Sequence, residues 1–313
     1  MTTTPFPIAL SADLITGTEW NAARVQELFQ LSTEVKARPD DYGSALAGHF
    51  LALILEKPSL RTRVTFEVGM RSLGGTAIFL DQTVSRLGER ESIPDVARNL
   101  SRWVHGIVAR VFKQRELEQL AEFAKIPVIN ALSDRFHPCQ AYADFFTLHE
   151  RYGALRGLKV AYVGDGNNVC HSLMTVAARV GAEMRIATPA GYEPDASVVN
   201  EAQQVARENH GSLKLFRSPH DAVARAQAVY TDVWASMGQE NEAAARAKIF
   251  ASYQVNDELM GRAARDASFM HCLPAHRGAE VTDSVMDSPR SIVFDQAENR
   301  LHVQKAILLM LLS

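Results

Sequence analysis

The sequence alternates short apolar runs with longer amphipathic stretches over most of its length. The apolar runs lie at residues 50–55, 76–81, 106–112, 127–132, 158–164, 183–188, 212–217, 228–233 and 268–273. Runs this short are typical of strands buried on both faces, and the stretches between them carry apolar residues at helical spacing. The pattern predicts the α/β class, with two doubly wound parallel-sheet domains of four and five strands.

Helix signals set the expected domain boundaries. Residues 137–152 read as a helix bridging the two sheets, so we expect one domain at 1–136 and a second at 153–297. Residues 298–313 also read as a helix, which we expect to cross back and complete the first domain. No linker rich in Pro, Gly or Ser separates the halves, and we expect the domains to pack together.

A further helix is predicted between the second and third runs. Ser92 and Asp95 have the spacing of a capping box. Val96, Leu100 and Trp103 then recur on one face at helical spacing.

Composition limits the partners of the chain. Its 313 residues include 33 Lys plus Arg and 36 Asp plus Glu, so the formal net charge is -3 and we expect neither nucleic acid nor a membrane as a partner. The apolar runs are shorter than the roughly 18 residues of a spanning helix. The N-terminal residues do not resemble a secretory signal, and three Cys without a CxxC pair favour a reducing compartment. We therefore expect a cytoplasmic protein.

An anion site is predicted where the first run ends. Ser59 can cap a helix that begins near Arg61, with Thr62 and Arg63 in its first turn. A helix N-terminus carries partial positive charge, so arginines are disfavoured there unless an anion is bound. A phosphate or carboxylate ligand is therefore favoured over a solvated surface helix.

Polar residues also follow the third and fourth runs, at the sheet edge where ligands of parallel sheets collect. Arg110 lies in an apolar run and, when buried, needs either a bound anion or an acidic side chain. His137 can donate to a carbonyl oxygen, and Gln140 can hold an amide. The alternative for His137 is a histidine satisfied by contacts between the domains.

The second half opens on GDGNN, directly after the fifth run. Gly164 and Gly166 fit the start of a dinucleotide fingerprint, but Val169 stands at the third glycine position, so the match is weak. Asn167 and Asn168 at the helix start are alternative contacts for a small polar ligand.

Two later segments carry further polar residues at strand ends. TDVWASMGQE places Asp232, Ser236 and Met237 on a loop, and Cys272 ends the last run. Cys272 has no dedicated base beside it in the sequence, which disfavours a nucleophilic role. His and Cys lie close together three times, but without the spacing of a zinc ligand set, and we expect no metal and no organic cofactor.

The segments SLRTR, HPCQ, GDGNN, DVWASMGQE, HCLPAHRG and AENR occur in the order seen in ornithine carbamoyltransferases. The similarity covers nearly the whole chain. SxRTR and HPxQ belong to the wider aspartate/ornithine carbamoyltransferase superfamily, whereas DxWxSMG and HCLP are particular to the ornithine branch. The chain therefore resembles that branch.

The resemblance implies transfer of the carbamoyl group of carbamoyl phosphate to the δ-amine of L-ornithine. The products are L-citrulline and phosphate, formed by direct amine attack through a tetrahedral intermediate. The first domain would bind carbamoyl phosphate and the second ornithine. The implied contacts to carbamoyl phosphate are Ser59, Arg61, Thr62, Arg63, Arg86, Arg110, His137, Gln140, Cys272, Leu273 and Arg300, and those to ornithine are Asn168, Asp232, Ser236 and Met237. The implied catalytic residues are Arg61, Arg110, His137 and Cys272.

The resemblance also implies a homotrimer with sites near subunit contacts, in which Arg86 reaches the neighbouring site. Relatives often carry Gln or His at this position, so Arg86 is expected either to pair with phosphate or to lie at the rim. The intact SMG motif favours free ornithine over its N-acetyl and N-succinyl derivatives. The residues leave open whether the reaction serves arginine biosynthesis or citrulline breakdown.

Two other classes of function remain. A dinucleotide-dependent oxidoreductase would use GDGNN and leave the arginine-rich first domain without a role. A non-catalytic relative would bind carbamoyl phosphate without turnover. A nicotinamide titration tests the first alternative, and a turnover assay tests the second.

Overall fold

Two parallel sheets form the framework of the molecule. The computed structural model describes residues 13–82, 86–235 and 240–313. The strands are β1 (Phe50–Leu55), β2 (Thr76–Asp81), β3 (Gly106–Arg110), β4 (Val128–Leu132), β5 (Lys159–Val163), β6 (Glu183–Ala187), β7 (Ser212–Phe216), β8 (Ala228–Thr231) and β9 (Ser268–His271). One sheet has the order β2-β1-β3-β4 and the other β7-β6-β5-β8-β9. The predicted fold class and all nine predicted strands are confirmed, with several ends shorter by one or two residues.

Helices cover both faces of these sheets. Those of the described residues are α1 (Ala22–Ala37), α2 (Leu60–Ser72), α3 (Ile93–Trp103), α4 (Gln114–Phe123), α5 (Pro138–Tyr152), α6 (Asn168–Val180), α7 (Ala196–Glu208), α8 (Pro219–Val223), α9 (Ala243–Phe250), α10 (Asp257–Arg262), α11 (Asp283–Met286) and α12 (Val293–Leu312). None of the helices in this part of the chain is long and apolar enough to cross a membrane.

Strand β1 shows why the runs are apolar throughout. Leu51 and Leu53 belong to one buried cluster, whereas the alternate residues Ala52 and Ile54 belong to another on the opposite face. Because successive side chains of a strand point to opposite faces, a strand covered on both sides needs apolar residues at every position.

Helix α3 begins as predicted, and its apolar residues are buried to different extents. The hydroxyl of Ser92 accepts a hydrogen bond from the Asp95 N–H, as a helix N-cap does. Ile93 and Leu100 are buried, whereas Trp103 is 67% exposed. Trp103 is the last residue of α3, where the helix leaves the sheet surface.

Helices α5 and α12 join the two sheets. α5 begins one residue after His137, and α12 begins at Val293, five residues before the expected start of the terminal helix. α12 packs against α5, α1 and α2. One buried cluster contains Leu53 of the first sheet, Tyr162 of the second and Leu308 of α12. Side chains of α12 can therefore reach the edge between the sheets.

Candidate active site

The first turn of α2 has the geometry that the sequence predicts. The Ser59 hydroxyl accepts a hydrogen bond from the Thr62 N–H at 3.3 Å and caps the helix. Thr62 is fully buried and Arg61 is half-buried, so both lie at the inner side of this turn. The positive end of α2 therefore lies directly after β1, as an anion site requires.

Two further arginines lie close to this turn. Arg300 on α12 donates to the Thr62 hydroxyl at 3.1 Å and is 3% exposed. Arg110, at the end of β3, is 8% exposed. The pKa of Arg110 is lowered to about 10, mainly by burial; the charges of Arg300 and Arg61 contribute to this decrease, and Cys272 opposes it. The three guanidinium groups thus repel one another, and a bound anion would relieve that repulsion.

The structure does not bring Arg63 and Arg86 into this arrangement. Arg63 forms an ion pair with Glu67 at 3.0 Å and stacks over the Phe79 ring at 4.1 Å. Arg86 is exposed and lies over the Phe112 ring at 4.5 Å. Both side chains are held by neighbours within their own domain.

His137 and Gln140 lie at the start of α5, between the sheets. The His137 N–H donates to the Ser172 hydroxyl of α6 at 2.7 Å, which links the two halves. Burial lowers the pKa of His137 well below its usual value, and the nearby Arg300 and Arg110 add to this effect. The imidazole is therefore neutral at pH 7 and has one N–H to donate. Gln140 is 1% exposed, and its Nε2 donates to Asp144 at 2.8 Å.

The second sheet contributes Asp232 and two asparagines. Asn167 Nδ2 donates to Asp232 Oδ2 at 2.8 Å, while its Oδ1 caps α6. Asn168 Nδ2 donates to the Ser133 carbonyl at 2.6 Å, beyond β4 of the first sheet. Asn167 is therefore the asparagine that holds Asp232, and Asn168 spans the gap between the sheets.

Cys272 and Leu273 follow β9 and face Asp232. The Cys272 thiol donates to Asp232 Oδ1 at 3.0 Å. Burial raises the pKa of Cys272 well above its usual value, and Asp232 raises it further, so the group is a thiol rather than a thiolate. Leu273 has a φ of 58°, and its N–H donates to His271 Nδ1 at 2.9 Å. A branched residue in this left-handed region is strained, and the hydrogen bond to His271 helps to hold it.

Family models match both halves of the chain. Residues 12–150 match the carbamoyl-P binding domain of aspartate/ornithine carbamoyltransferase, and residues 156–311 match its Asp/Orn binding domain. The chain belongs to the aspartate/ornithine carbamoyltransferase family. This membership confirms the resemblance seen in the motifs.

Individual members of the carbamoyltransferase family match most of the chain. An anabolic ornithine carbamoyltransferase of Pyrococcus furiosus is 56% identical over 84% of this chain and 84% of its own. The ornithine carbamoyltransferase of Anoxybacillus flavithermus is 49% identical over 96% of both chains. The solved ornithine carbamoyltransferase structure from Pyrococcus furiosus superposes with a TM-score of 0.94 at 50% identity, covering 96% of this chain and 97% of that one.

Two residues expected in this carbamoyltransferase site, Ser236 and Met237, lie outside the described residues. Trp234, two residues before them, is anchored by Arg246 of α9. The Arg246 Nη1 donates to the Trp234 carbonyl and pairs with Asp165 Oδ2, both at 2.9 Å. Trp234 is therefore linked through Arg246 to Asp165 of the GDGNN turn.

One group of side chains in the described ranges could in principle hold a metal. Ligand atoms of Asp232, His271 and Cys272 lie within 4.8 Å of one another. However, His271 Nδ1 accepts from Leu273, and its Nε2 faces Glu280 Oε1 at 3.3 Å. Nδ1 is thus engaged and the Cys272 thiol holds its proton, so these residues do not fit a resident metal ion.

Three buried residues of the site were not found from the sequence. They are Asp144, which accepts from Gln140, Gln296, which donates to Asp144 at 2.7 Å, and Glu280, which faces His271. The only signal for Asp144 is its position one helical turn after Gln140. Gln296 and Glu280 are distant in sequence from the predicted site residues that they lie near, or show no motif of their own, so only the folded structure identifies them.

Proposed function

We propose that this chain is an ornithine carbamoyltransferase, which transfers the carbamoyl group of carbamoyl phosphate to the δ-amine of L-ornithine and forms L-citrulline and phosphate. The observation that carries the proposal is that Arg110 and Arg300 interact electrostatically with Cys272, whose thiol donates to Asp232 of the second sheet. Electrostatic coupling of Arg110 to both Arg300 and Cys272 supports a single site between them. Relatives that match most of the chain are named ornithine carbamoyltransferase.

We infer that the phosphate end of carbamoyl phosphate binds at the start of α2. Ser59, Arg61 and Thr62 supply donors there, and Arg110 and Arg300 supply buried positive charge. Guanidinium groups match phosphate oxygens in shape and charge. Arg63 has no place in this proposal because Glu67 and Phe79 hold its side chain.

The carbamoyl group is proposed to lie against α5 and the end of β9. His137 donates to the carbamoyl oxygen, and Gln140 accepts from the carbamoyl amine. The backbone of Cys272 and Leu273 lines the same end of the site. These roles agree with the neutral state of His137 and the free Oε1 of Gln140, which makes no hydrogen bond to the residues described.

Ornithine is proposed to bind on the side of the second sheet. Asn168, Asp232, Ser236 and Met237 are the assigned contacts. The carboxylate of Asp232 suits the α-ammonium of ornithine, since it is buried and already accepts from Asn167 and Cys272. An amine bound between buried arginines and apolar residues loses solvation, which favours its neutral form.

The reaction then needs charge stabilisation more than acid–base groups. The neutral δ-amine attacks the carbamoyl carbon, and the developing oxyanion is stabilised by Arg61, His137 and Arg110. The C–O bond to phosphate breaks, and the leaving phosphate takes the proton of the former amine. Cys272 stays protonated beside Asp232 and takes no covalent part.

Product formation with a panel of amine acceptors tests this function. The purified protein is given carbamoyl phosphate with ornithine, N-acetylornithine, N-succinylornithine, putrescine or aspartate. Citrulline from ornithine is expected, and Arg61→Ala should abolish it whereas the surface variant Arg98→Ala should not. Preference for another acceptor would overturn the roles of Asn168 and Asp232, and absence of turnover with every acceptor would overturn the enzyme assignment.

We further propose a homotrimer in which Arg86 completes the neighbouring site. Leu60, Val64 and Val68 form an exposed apolar stripe on α2, and Ile78 is exposed on the edge strand β2. Such a stripe beside a sheet edge is typical of a subunit interface. Arg86 lies five residues after the end of β2.

Mixing two inactive variants tests the shared site. Arg61→Ala and Arg86→Ala are purified separately, mixed, dissociated and reassembled. Return of activity in the mixture is expected, since some sites then combine an intact Arg61 with a neighbour's intact Arg86. Full activity of Arg86→Ala alone, or a monomer by light scattering, would contradict the shared site.

The cellular role and domain limits are proposed on the same footing. We propose arginine biosynthesis in the cytoplasm, because a relative that matches 84% of this chain is named anabolic. We propose a carbamoyl-phosphate domain at 1–136 completed by 298–313, a bridging helix at 137–152 and an ornithine domain at 153–297.

A further inference from the structure

Asp144 lies one turn after Gln140 on α5 and is completely buried. Its Oδ1 accepts two hydrogen bonds, from Gln140 Nε2 at 2.8 Å and from Gln296 Nε2 at 2.7 Å. An ionised carboxylate only accepts hydrogen bonds. Both amides must therefore turn their nitrogen toward Asp144.

This contact decides which end of the Gln140 amide is available to a ligand. With Nε2 engaged, Oε1 is the group left over, and it makes no hydrogen bond within the described part of the chain although Gln140 is 1% exposed. A buried acceptor without a partner is unfavourable, so the folded protein holds it ready for a donor.

The carbamoyl group offers that donor. Its amine donates, whereas an acyl group of the same shape carries a methyl group at this position. If the Gln140 amide were reversed, its NH2 would face the amine of the ligand, and two donors would oppose each other. The orientation of one amide therefore separates favourable from unfavourable recognition.

We propose that Asp144 is a positioning residue that fixes the orientation of the Gln140 amide, so that the site selects a carbamoyl group over an acyl group. The proposal rests on the proposed function, because it needs carbamoyl phosphate as the ligand. Asp144 acts through Gln140 and does not touch the substrate itself.

A structural role must be separated from this one. Gln296 also accepts from the His271 N–H at 3.1 Å, so Asp144 is part of a buried chain of hydrogen bonds that joins α5, α12 and β9. If Asp144 only supported the framework, its loss would weaken the binding of every ligand of the first domain to the same extent. Selective loss for ligands with an amine is the signature of positioning.

Two stable phosphonates provide the probe. Phosphonoacetamide carries the amine, and phosphonoacetone carries a methyl group in its place. Their dissociation constants are measured by calorimetry well above pH 7, where Asp144 is ionised. Burial raises the pKa of Asp144 to about 7, although the hydrogen bonds from Gln140 and Gln296 oppose this increase. Turnover of carbamoyl phosphate by the unaltered protein is measured separately, so that failure of the proposed function is recognised on its own.

The variants differ in whether an acceptor remains at position 144. We expect the unaltered protein to prefer phosphonoacetamide by about fivefold to tenfold, as one hydrogen bond predicts. Asp144→Leu should bring the ratio close to one by weakening the amide alone. Asp144→Asn should retain most of the preference, since its side-chain oxygen can still accept from both glutamines. Gln140→Leu should remove the preference, and adding Asp144→Leu to it should have no further effect on the ratio.

Thr147→Val is the matched control on the same helix. Thr147 is 3% exposed, and its hydroxyl donates to the Ala143 carbonyl and accepts from Asn299, so the variant loses buried hydrogen bonds without touching Asp144. Its preference should be unchanged. If Asp144→Leu does not fold, Asp144→Ser replaces it, because the shorter hydroxyl does not reach Gln140. Equal weakening of both phosphonates, or an unchanged ratio in a folded variant, would overturn the proposal.

Discussion

Replacing Arg300 by methionine is expected to stabilise the ligand-free protein while removing its response to phosphate. Arg300 is 3% exposed and donates to Thr62. Its pKa is lowered, mainly by burial; Arg61 contributes to this decrease, whereas Cys139 opposes it. In the absence of an anion, this guanidinium is therefore a buried charge beside two others of the same sign.

The pKa of Arg110 gives a scale for the free-energy cost of a buried arginine in this group. It is lowered to about 10, first by burial and then by Arg300. At about 1.4 kcal/mol for each pKa unit, the charged form of Arg110 is disfavoured by about 3 kcal/mol. Arg300→Met keeps most of the side-chain volume and loses one hydrogen bond to Thr62, worth about 1 kcal/mol. We therefore expect the free energy of unfolding without ligand to rise by roughly 1 to 2 kcal/mol.

Denaturation with and without inorganic phosphate measures both effects. Phosphate at 100 times its dissociation constant should stabilise the unaltered protein by about 2.7 kcal/mol and Arg300→Met much less. Arg24→Met is the control, because Arg24 is more exposed, pairs with Glu27 and also contacts α12 through the Met310 carbonyl. It should keep the full response without added stability. A ligand-free Arg300→Met that is less stable than the unaltered protein, with its phosphate response intact, would refute the reasoning.

Three further variants test other parts of the site. Arg246→Leu should destabilise the fold by about 3–5 kcal/mol in denaturation experiments, because it leaves the buried carboxylate of Asp165 without its partner. In steady-state kinetics it should raise the KM for ornithine more than the KM for carbamoyl phosphate. Because the pKa of His137 is lowered by folding, the unfolded chain binds a proton near pH 6.5 and the folded chain does not. The free energy of unfolding should therefore fall as the pH drops below about 6.5. His137→Asn should reduce this pH dependence, as measured by urea titrations at several pH values. His271→Asn retains an acceptor near the Nδ1 position for the Leu273 N–H, whereas His271→Gln retains only a donor toward Glu280. The kcat should therefore fall about tenfold or more in His271→Gln alone. Equal losses of kcat in the two variants would show that the ring does not act by holding the Leu273 N–H.

Much of the fold follows from local patterns. The central strand β1 is apolar throughout because helices cover both faces, whereas the edge strand β7 carries Lys214 and is only partly buried. The Ser59 cap and the start of α5 beside His137 follow from residues close together in the chain. Leu100 and Trp103 share one face by periodicity, yet only Leu100 is buried, because periodicity does not show where a helix leaves the sheet.

The site is less predictable because its contacts join distant segments. Arg110 was expected either beside an anion or beside an acid, and only the structure places Arg300 and Arg61 near it. The two asparagines of GDGNN are equivalent in sequence, yet Asn167 holds Asp232 while Asn168 reaches Ser133. Such distinctions depend on side-chain direction, which spacing alone does not specify.

The ionisation states around the reacting carbon suggest how the site divides its tasks. His137 is neutral and Cys272 is a thiol, so neither is prepared to take a proton from the ornithine amine at pH 7. The charge of the site is concentrated on the arginines that would face the phosphate. A phosphate held there is the strongest base that would lie near the attacking nitrogen, and its basicity grows as the C–O bond breaks. The arginines would therefore bind the substrate and stabilise the leaving group, and the substrate itself would accept the proton.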